Sequence, residues 1–152
     1  MQPLPKGVTG FDAPDGGVPV ERFTTACQSA ARRADGRLRL VRAAYEEVTP
    51  NFHDALMVLR DGNMIVRVLC NAHFPIVAFA SPASRDGDVC LHFVDCAELA
   101  GVLGDEFVIL SAQDACADVS HAMVAQLGKS ELDQMRYWNP QRIGDVIFNY
   151  WD

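Results

Sequence analysis

The sequence has none of the short motifs that announce nucleotide or hydrolase chemistry. G-x-G-x-x-G, the Walker phosphate loop, G-x-S-x-G and H-E-x-x-H are all missing. Their absence removes the phosphate cradle, the nucleophile elbow and the helical zinc pair from the expected chemistry, and no cofactor is implied. The five cysteines (Cys27, Cys70, Cys90, Cys96 and Cys116) form no C-x-x-C pair, so a zinc knuckle or a thioredoxin-type couple is not expected. No apolar run reaches 18 residues, and the N-terminus has no apolar leader. Neither a membrane span nor a secretory signal is expected. An odd number of thiols among apolar neighbours then fits a reducing cytoplasm, with most of them buried.

Base is the other scarcity. From Asp86 to Gly128, 43 residues, there is no Lys and no Arg, while Asp86, Asp88, Asp95, Glu98, Asp105, Glu106, Asp114 and Asp118 all fall inside. Of the net charge of −7, the first 67 residues contribute almost nothing, with nine bases against eight acids; the remainder carries four against twelve. Such a segment repels phosphates and attracts basic partners or cations. Nucleic-acid binding needs a basic footprint. Only Arg32, Arg33, Arg37, Arg39 and Arg42 approach one. On a strand Arg37 and Arg39 would share a face and Arg42 would take the other, so a solvated strand is the simpler reading and no nucleic acid is expected.

What is present describes an ordinary folded chain. At 152 residues and 49% apolar content, one domain with a core that needs no staples is expected. Residues 1–19, with four Pro and four Gly, form an irregular lead-in anchored by Val8 and Phe11. Val20, Phe23, Cys27 and Ala30 or Ala31 recur at helical spacing, predicting a helix to about Ala34, where Asp35-Gly36 ends it. The middle is strand-rich. Residues 37–40 alternate strictly and the run continues to Tyr45; 54–60 and 63–70 flank the hairpin signal Asp61-Gly62; 74–80, 89–94 and 106–110 follow. Asp95 is placed to cap a short helix that Gly104 stops. Beyond it, 119–127 and a helix from a Ser130/Asp133 capping box are expected. Asn139-Pro140 then reads as the start of a last helix, whose stripe of Ile143, Val146, Ile147, Tyr150 and Trp151 reaches the final turn. The expectation is an α+β fold: a single antiparallel or mixed sheet of about six strands packed against an N-terminal helix and C-terminal helices, with the first and last two helices on one face.

Candidate chemistry is thin. Cys90 and His92, two apart on an expected strand, share a face. At that spacing they stand about 6–7 Å apart, against the roughly 3 Å a general base needs. Cys70 and His73, with His53 and Cys96 elsewhere, lack metal-ligand spacing and read as structural, as does His121. D-G-D at 86–88 lacks the rest of a calcium loop, and Glu46/Glu47 end a strand. The C-terminal aromatics Tyr137, Trp138, Phe148, Tyr150 and Trp151 suit a core or an interface.

Three functions are compatible. The leading one is a small acidic binding protein whose Asp86, Asp88, Asp105, Glu106, Asp114 and Asp118 meet a basic protein partner. Immunity proteins that neutralise a basic toxin or nuclease are a class-level analogy. The alternatives are a small enzyme built on Cys90 or Cys70 with a histidine, and a structural or oligomeric module joined through the aromatics. The sequence leaves the oligomeric state open.

Overall fold

A computed structural model describes residues 2–44, 49–82 and 90–152. Glu46, Glu47, Asp86 and Asp88 lie outside the described residues. The lead-in runs into helix α1 (Val20–Arg33), followed by strands β1 (Arg37–Arg42) and β2 (Phe52–Leu59), a short 3-10 turn at Arg60–Gly62, β3 (Met64–Asn71) and β4 (Ile76–Ala80). Then come β5 (Phe93–Val94), α2 (Ala97–Leu103), β6 (Val108–Ile109), α3 (Ala112–Ala115), α4 (His121–Val124), α5 (Lys129–Trp138) and α6 (Ile143–Ile147). The fold is α+β, with one six-stranded sheet in the order β1-β2-β3-β4-β5.

All pairings are antiparallel except that of β6, which runs parallel to β4. Strand β5 pairs with Phe79 and Ala80, and β6 with Ile76 and Val77. The two short strands therefore stand end to end along the same edge of β4 and close it. The expected hairpin is β2–β3, with Leu59 opposite Met64, and Gly62 at φ 92° supplies the left-handed step its turn requires. Strand β1 carries a bulge between Leu38 and Leu40. The extra residue reverses the expected parity. Arg37 and Arg42 oppose Val58 and Asp54, which share a face, and Arg39 sits in the bulge.

Helices cover both faces of the sheet, not one. Ala55, Met57, Leu59, Val66, Val68, Cys70, Val77 and Phe79 pack with Phe23, Cys27, Ala30 and Ala31 of α1 and Leu99 and Leu103 of α2. The alternate residues Phe52, Leu69, Ala78 and Ala80 pack with Leu4 and Val8 of the lead-in, Ala115 of α3 and Ile143, Val146 and Ile147 of α6. Strand period two sends neighbouring side chains to opposite sides, so each set defines one face. The unbroken buried run from Val66 to Asn71 follows from being covered twice.

Buried polar groups tie the irregular lead-in and the C-terminal segment to the sheet. The side-chain amides of Asn51 and Asn71 each donate to the carbonyl oxygens of both Val8 and Ile147, at 2.7–3.0 Å. Glu131 is wholly buried. Its carboxylate accepts from the amides of Gly7 (2.7 Å), Thr9 (3.1 Å) and Gly128 (3.0 Å) and from the Thr9 hydroxyl. Lead-in residue Asp12 accepts from the Ser130 amide, an otherwise unbonded donor in the first turn of α5. The N-cap of α5 is thus Gly128 with Glu131 at its third position, not Ser130 with Asp133.

Three other boundaries differ from expectation. Asp95 does not cap α2, whose N-cap is Cys96; it accepts from the Ala112 amide at the start of α3. Asn139 ends α5 in the left-handed conformation, φ 49°, which asparagine tolerates, and Pro140 follows outside any helix. Helix α6 stops at Ile147 because Asn149 is recruited elsewhere: its amide N–H donates to Asn51 Oδ1, and its own Oδ1 accepts from the Trp151 amide. Residues 119–127 form only the single turn α4.

Replacing Glu131 with Ala strands three amides and a hydroxyl in the interior. The expected loss is about 3 kcal/mol in urea unfolding, with new proteolytic cleavage inside residues 2–19 under native conditions. A Glu131→Ala chain as stable as the parent would show that the clasp contributes nothing.

Candidate functional site

The described part of the base-free segment lies at the β4 end of the sheet but on both faces: α2, with Leu99, Leu103 and the following Phe107, packs on the α1-covered face, and α3, with Ala115, on the opposite one. Strand β5, α2, β6 and α3 follow one another beside β4, while the arginine-bearing β1 forms the opposite edge. Three inter-strand steps of about 4.8 Å separate β1 from β4. Arg37, Arg39 and Arg42 are exposed on β1, and Asp95, Asp105, Glu106 and Asp118 are exposed in the segment that contains β5 and β6.

The acids of that segment are not all free. Glu106 pairs with Arg22 of α1 at 2.9 Å, and Arg22 also lies over the Phe107 ring at 5.2 Å. Together with Glu21, Thr25, Ala26 and Ser29 this pair lines an open depression of about 440 Å³. Glu98 pairs with Arg60. Guanidinium groups from the amino-terminal portion thus interleave with the carboxylates at two points. Both pairs are solvent-exposed and contribute little stability, but they cancel charge locally. Among the described residues no ion pair reaches Asp105, Asp114 or Asp118. Asp105 is exposed in the turn after α2, Asp114 is half-buried in α3, and Asp118 is exposed and bridged through its backbone to Arg142.

Arg142 organises this corner. Its guanidinium holds Asp145 at 2.7 and 2.9 Å, donates to the Leu91 carbonyl at 3.1 Å and lies over the Phe93 ring at 5.1 Å. Gly144 is needed beside it, because a Cβ there would come within 2.4 Å of Phe93 and 3.0 Å of the Ala115 carbonyl.

The aromatic cluster divides. Phe148 and Trp151 are buried, and Phe52 meets Phe148 and Tyr150 edge-on at 5.7 and 5.4 Å. Tyr137 and Trp138 are 80% and 39% exposed and stack against each other in a T-shape at 5.1 Å. The spacing of Leu132 and Met135 places Tyr137 off the buried stripe of α5, which was the available signal for its exposure.

Of the cysteine and histidine constellations, one pair is brought together: Cys70 stands opposite His53 across β2 and β3. Strand β5 begins at Phe93, so Cys90 and His92 lie in the loop before it, both exposed. Burial pushes the Cys27 thiol up to about 12 and raises Cys70 as well; raised values leave the protonated, unreactive form. His53 is a core residue. Its Nδ1 accepts from the Ala44 amide, which leaves Nε2–H to donate to the Val18 carbonyl at 2.6 Å, and its ring stacks on Phe23. Among the described residues no three potential metal ligands cluster, and no helix is long and apolar enough to cross a membrane. No protein-family model, no curated protein and no solved structure matches this chain.

Two outcomes follow from these environments. Cys90 and Cys116 are exposed, whereas Cys27, Cys70 and Cys96 are buried. A disulfide reagent at pH 8 is expected to modify two thiols in the native protein and all five in denaturant; fast modification of a third would contradict the burial. His73 is held below its ordinary value of 6.5, first by burial and then by the nearby His53, with Glu131 opposing. The folded state therefore takes up the proton less readily than the unfolded chain. The stability His73 contributes is full above its ordinary value and drains away as pH falls through and below it. His73→Gln should flatten that slope in unfolding measured between pH 7 and 5.

Proposed function

We propose that this chain is a protein-binding domain whose acidic sheet edge receives a basic partner, the task performed by inhibitors of basic toxins and nucleases. The observation that carries the reading is the set of carboxylates with no ion pair among the described residues, Asp105, Asp114 and Asp118, in the segment whose strands pair with β4 at the opposite end of the sheet from β1. A charge distribution split in this way orients an approaching cationic surface before contact and raises its association rate. The ion pairs of Glu98 and Glu106 make those two carboxylates poorer attractors, so the steering falls on the other three and on the remaining charge of the base-free stretch. A thiol enzyme is less well supported, because the Cys70 thiol is buried and holds its proton, and Cys90 and His92 lie in a loop before β5 and not on a strand face.

The triple variant Asp105→Asn/Asp114→Asn/Asp118→Asn tests it. Affinity capture at low salt should retain a basic protein on the parent chain and lose it on the variant. Association should slow about tenfold with the substitutions and converge with the parent at high salt, where screening shortens the Debye length to about 3 Å. Identical captured proteins for both chains at low salt would retire the proposal.

A further inference from the structure

The exposed rings at the end of α5 have an arrangement that the core does not explain. The indole N–H of Trp138 is already committed, donating to Gln134 Oε1 at 3.0 Å. The two rings meet nearly at right angles, 79° between planes, and both are exposed. The two guanidiniums of this chain that lie over rings do so on Phe107 and Phe93, so among the described residues neither Tyr137 nor Trp138 carries a cation of its own. Asp118 is brought to the same end of the molecule. It bridges to Arg142, and the Val119 amide donates to the Gln141 carbonyl at 3.1 Å, only three residues beyond Trp138. Three residues span at most about 10 Å. An interface of standard size covers about 800 Å² per partner, a disc of roughly 16 Å radius, so the backbone positions of Trp138 and Asp118 are close enough for one footprint to span both.

We infer that Tyr137 and Trp138 are the anchoring contact for an arginine side chain of the basic partner, with Asp118 on the rim. This rests on the acidic binding function proposed above and names its centre. A guanidinium suits the place better than an ammonium. Its flat face stacks on an indole while its edge still donates to a carboxylate. Aromatic anchors of this kind hold a complex once formed, whereas rim charges govern how fast it forms.

The test uses the full chain and hexa-arginine amide as probe. Trp151 is 7% exposed and Trp138 39%, so quenching of the emission on titration reports Trp138. The expected result is saturable quenching, with hexa-lysine binding more weakly. Tyr137→Ala/Trp138→Ala, followed by peptide anisotropy, should weaken binding about tenfold, while Trp138→Phe, which keeps a ring face but not the bond to Gln134, should retain most of it. Unchanged thermal unfolding would certify that each variant is folded. Equal affinity of parent and double-alanine chains overturns the inference; if the Asp105/Asp114/Asp118 variant still loses binding, the acidic reading survives without it. No binding of the peptide to the parent also overturns the aromatic anchor, leaving the capture experiment to decide the broader proposal.

Discussion

Two backbone carbonyls and two buried asparagines form the junction on which this architecture depends. Val8 lies in the irregular lead-in and Ile147 ends the last helix, and the carbonyl of each accepts from both Asn51 and Asn71. Every hydrogen of the two amide groups is thereby used. Their oxygens are engaged as well, Asn51 with the Asn149 amide and Asn71 with the amides of His73 and Phe74. A rotated amide would set oxygen against oxygen, so the network fixes its own orientation. Fully satisfied polar networks in a low-dielectric interior specify one arrangement because any partial version leaves unpaired groups.

The acidic segment inherits its position from that junction. Helix α6 is held at Ile147, and the start of the helix is bound to the α3 region by the Ile143 amide donating to the Ala117 carbonyl at 2.9 Å. Asp114 and Asp118 flank that contact. On the other side, Asp95 secures the first amide of α3. A carboxylate in the segment is thus structural where it accepts a backbone amide, neutralised where an arginine reaches it, and without an ion pair among the described residues at Asp105, Asp114 and Asp118.

Local pattern made much of the fold legible. The spacing of Phe23, Cys27, Ala30 and Ala31 marked α1, Asp61-Gly62 marked the β2–β3 turn, and the strand-rich middle marked the sheet. What escaped was long-range. The apolar content of β4, and of β3 on either side of Arg67, was a signal of double coverage that alternation-based reading passes over. Asn139 reads locally as the cap of a new helix and Asn149 as interior to it, whereas the structure uses Asn139 to end α5 and Asn149 to bridge to Asn51. Contiguity along the chain does not say which acids meet an arginine: nothing local to Glu106 or Glu98 announces Arg22, 84 positions away, or Arg60, 38 away. The exposed Tyr137 was readable from its offset to Leu132 and Met135; the buried Glu131, set among lead-in amides, was not.

The two faces of the sheet also differ in when they can be completed. Every buried residue of the α1-covered layer lies between Val18 and Phe107, whereas the opposite layer draws on the chain from Leu4 to Trp151. Translation is vectorial, so the first layer can consolidate on a nascent chain while the second still lacks α6 and Trp151. A ribosome paused in between presents half a sandwich with a bare apolar sheet face. Exposed apolar surface of that kind is what makes partly folded chains prone to aggregate.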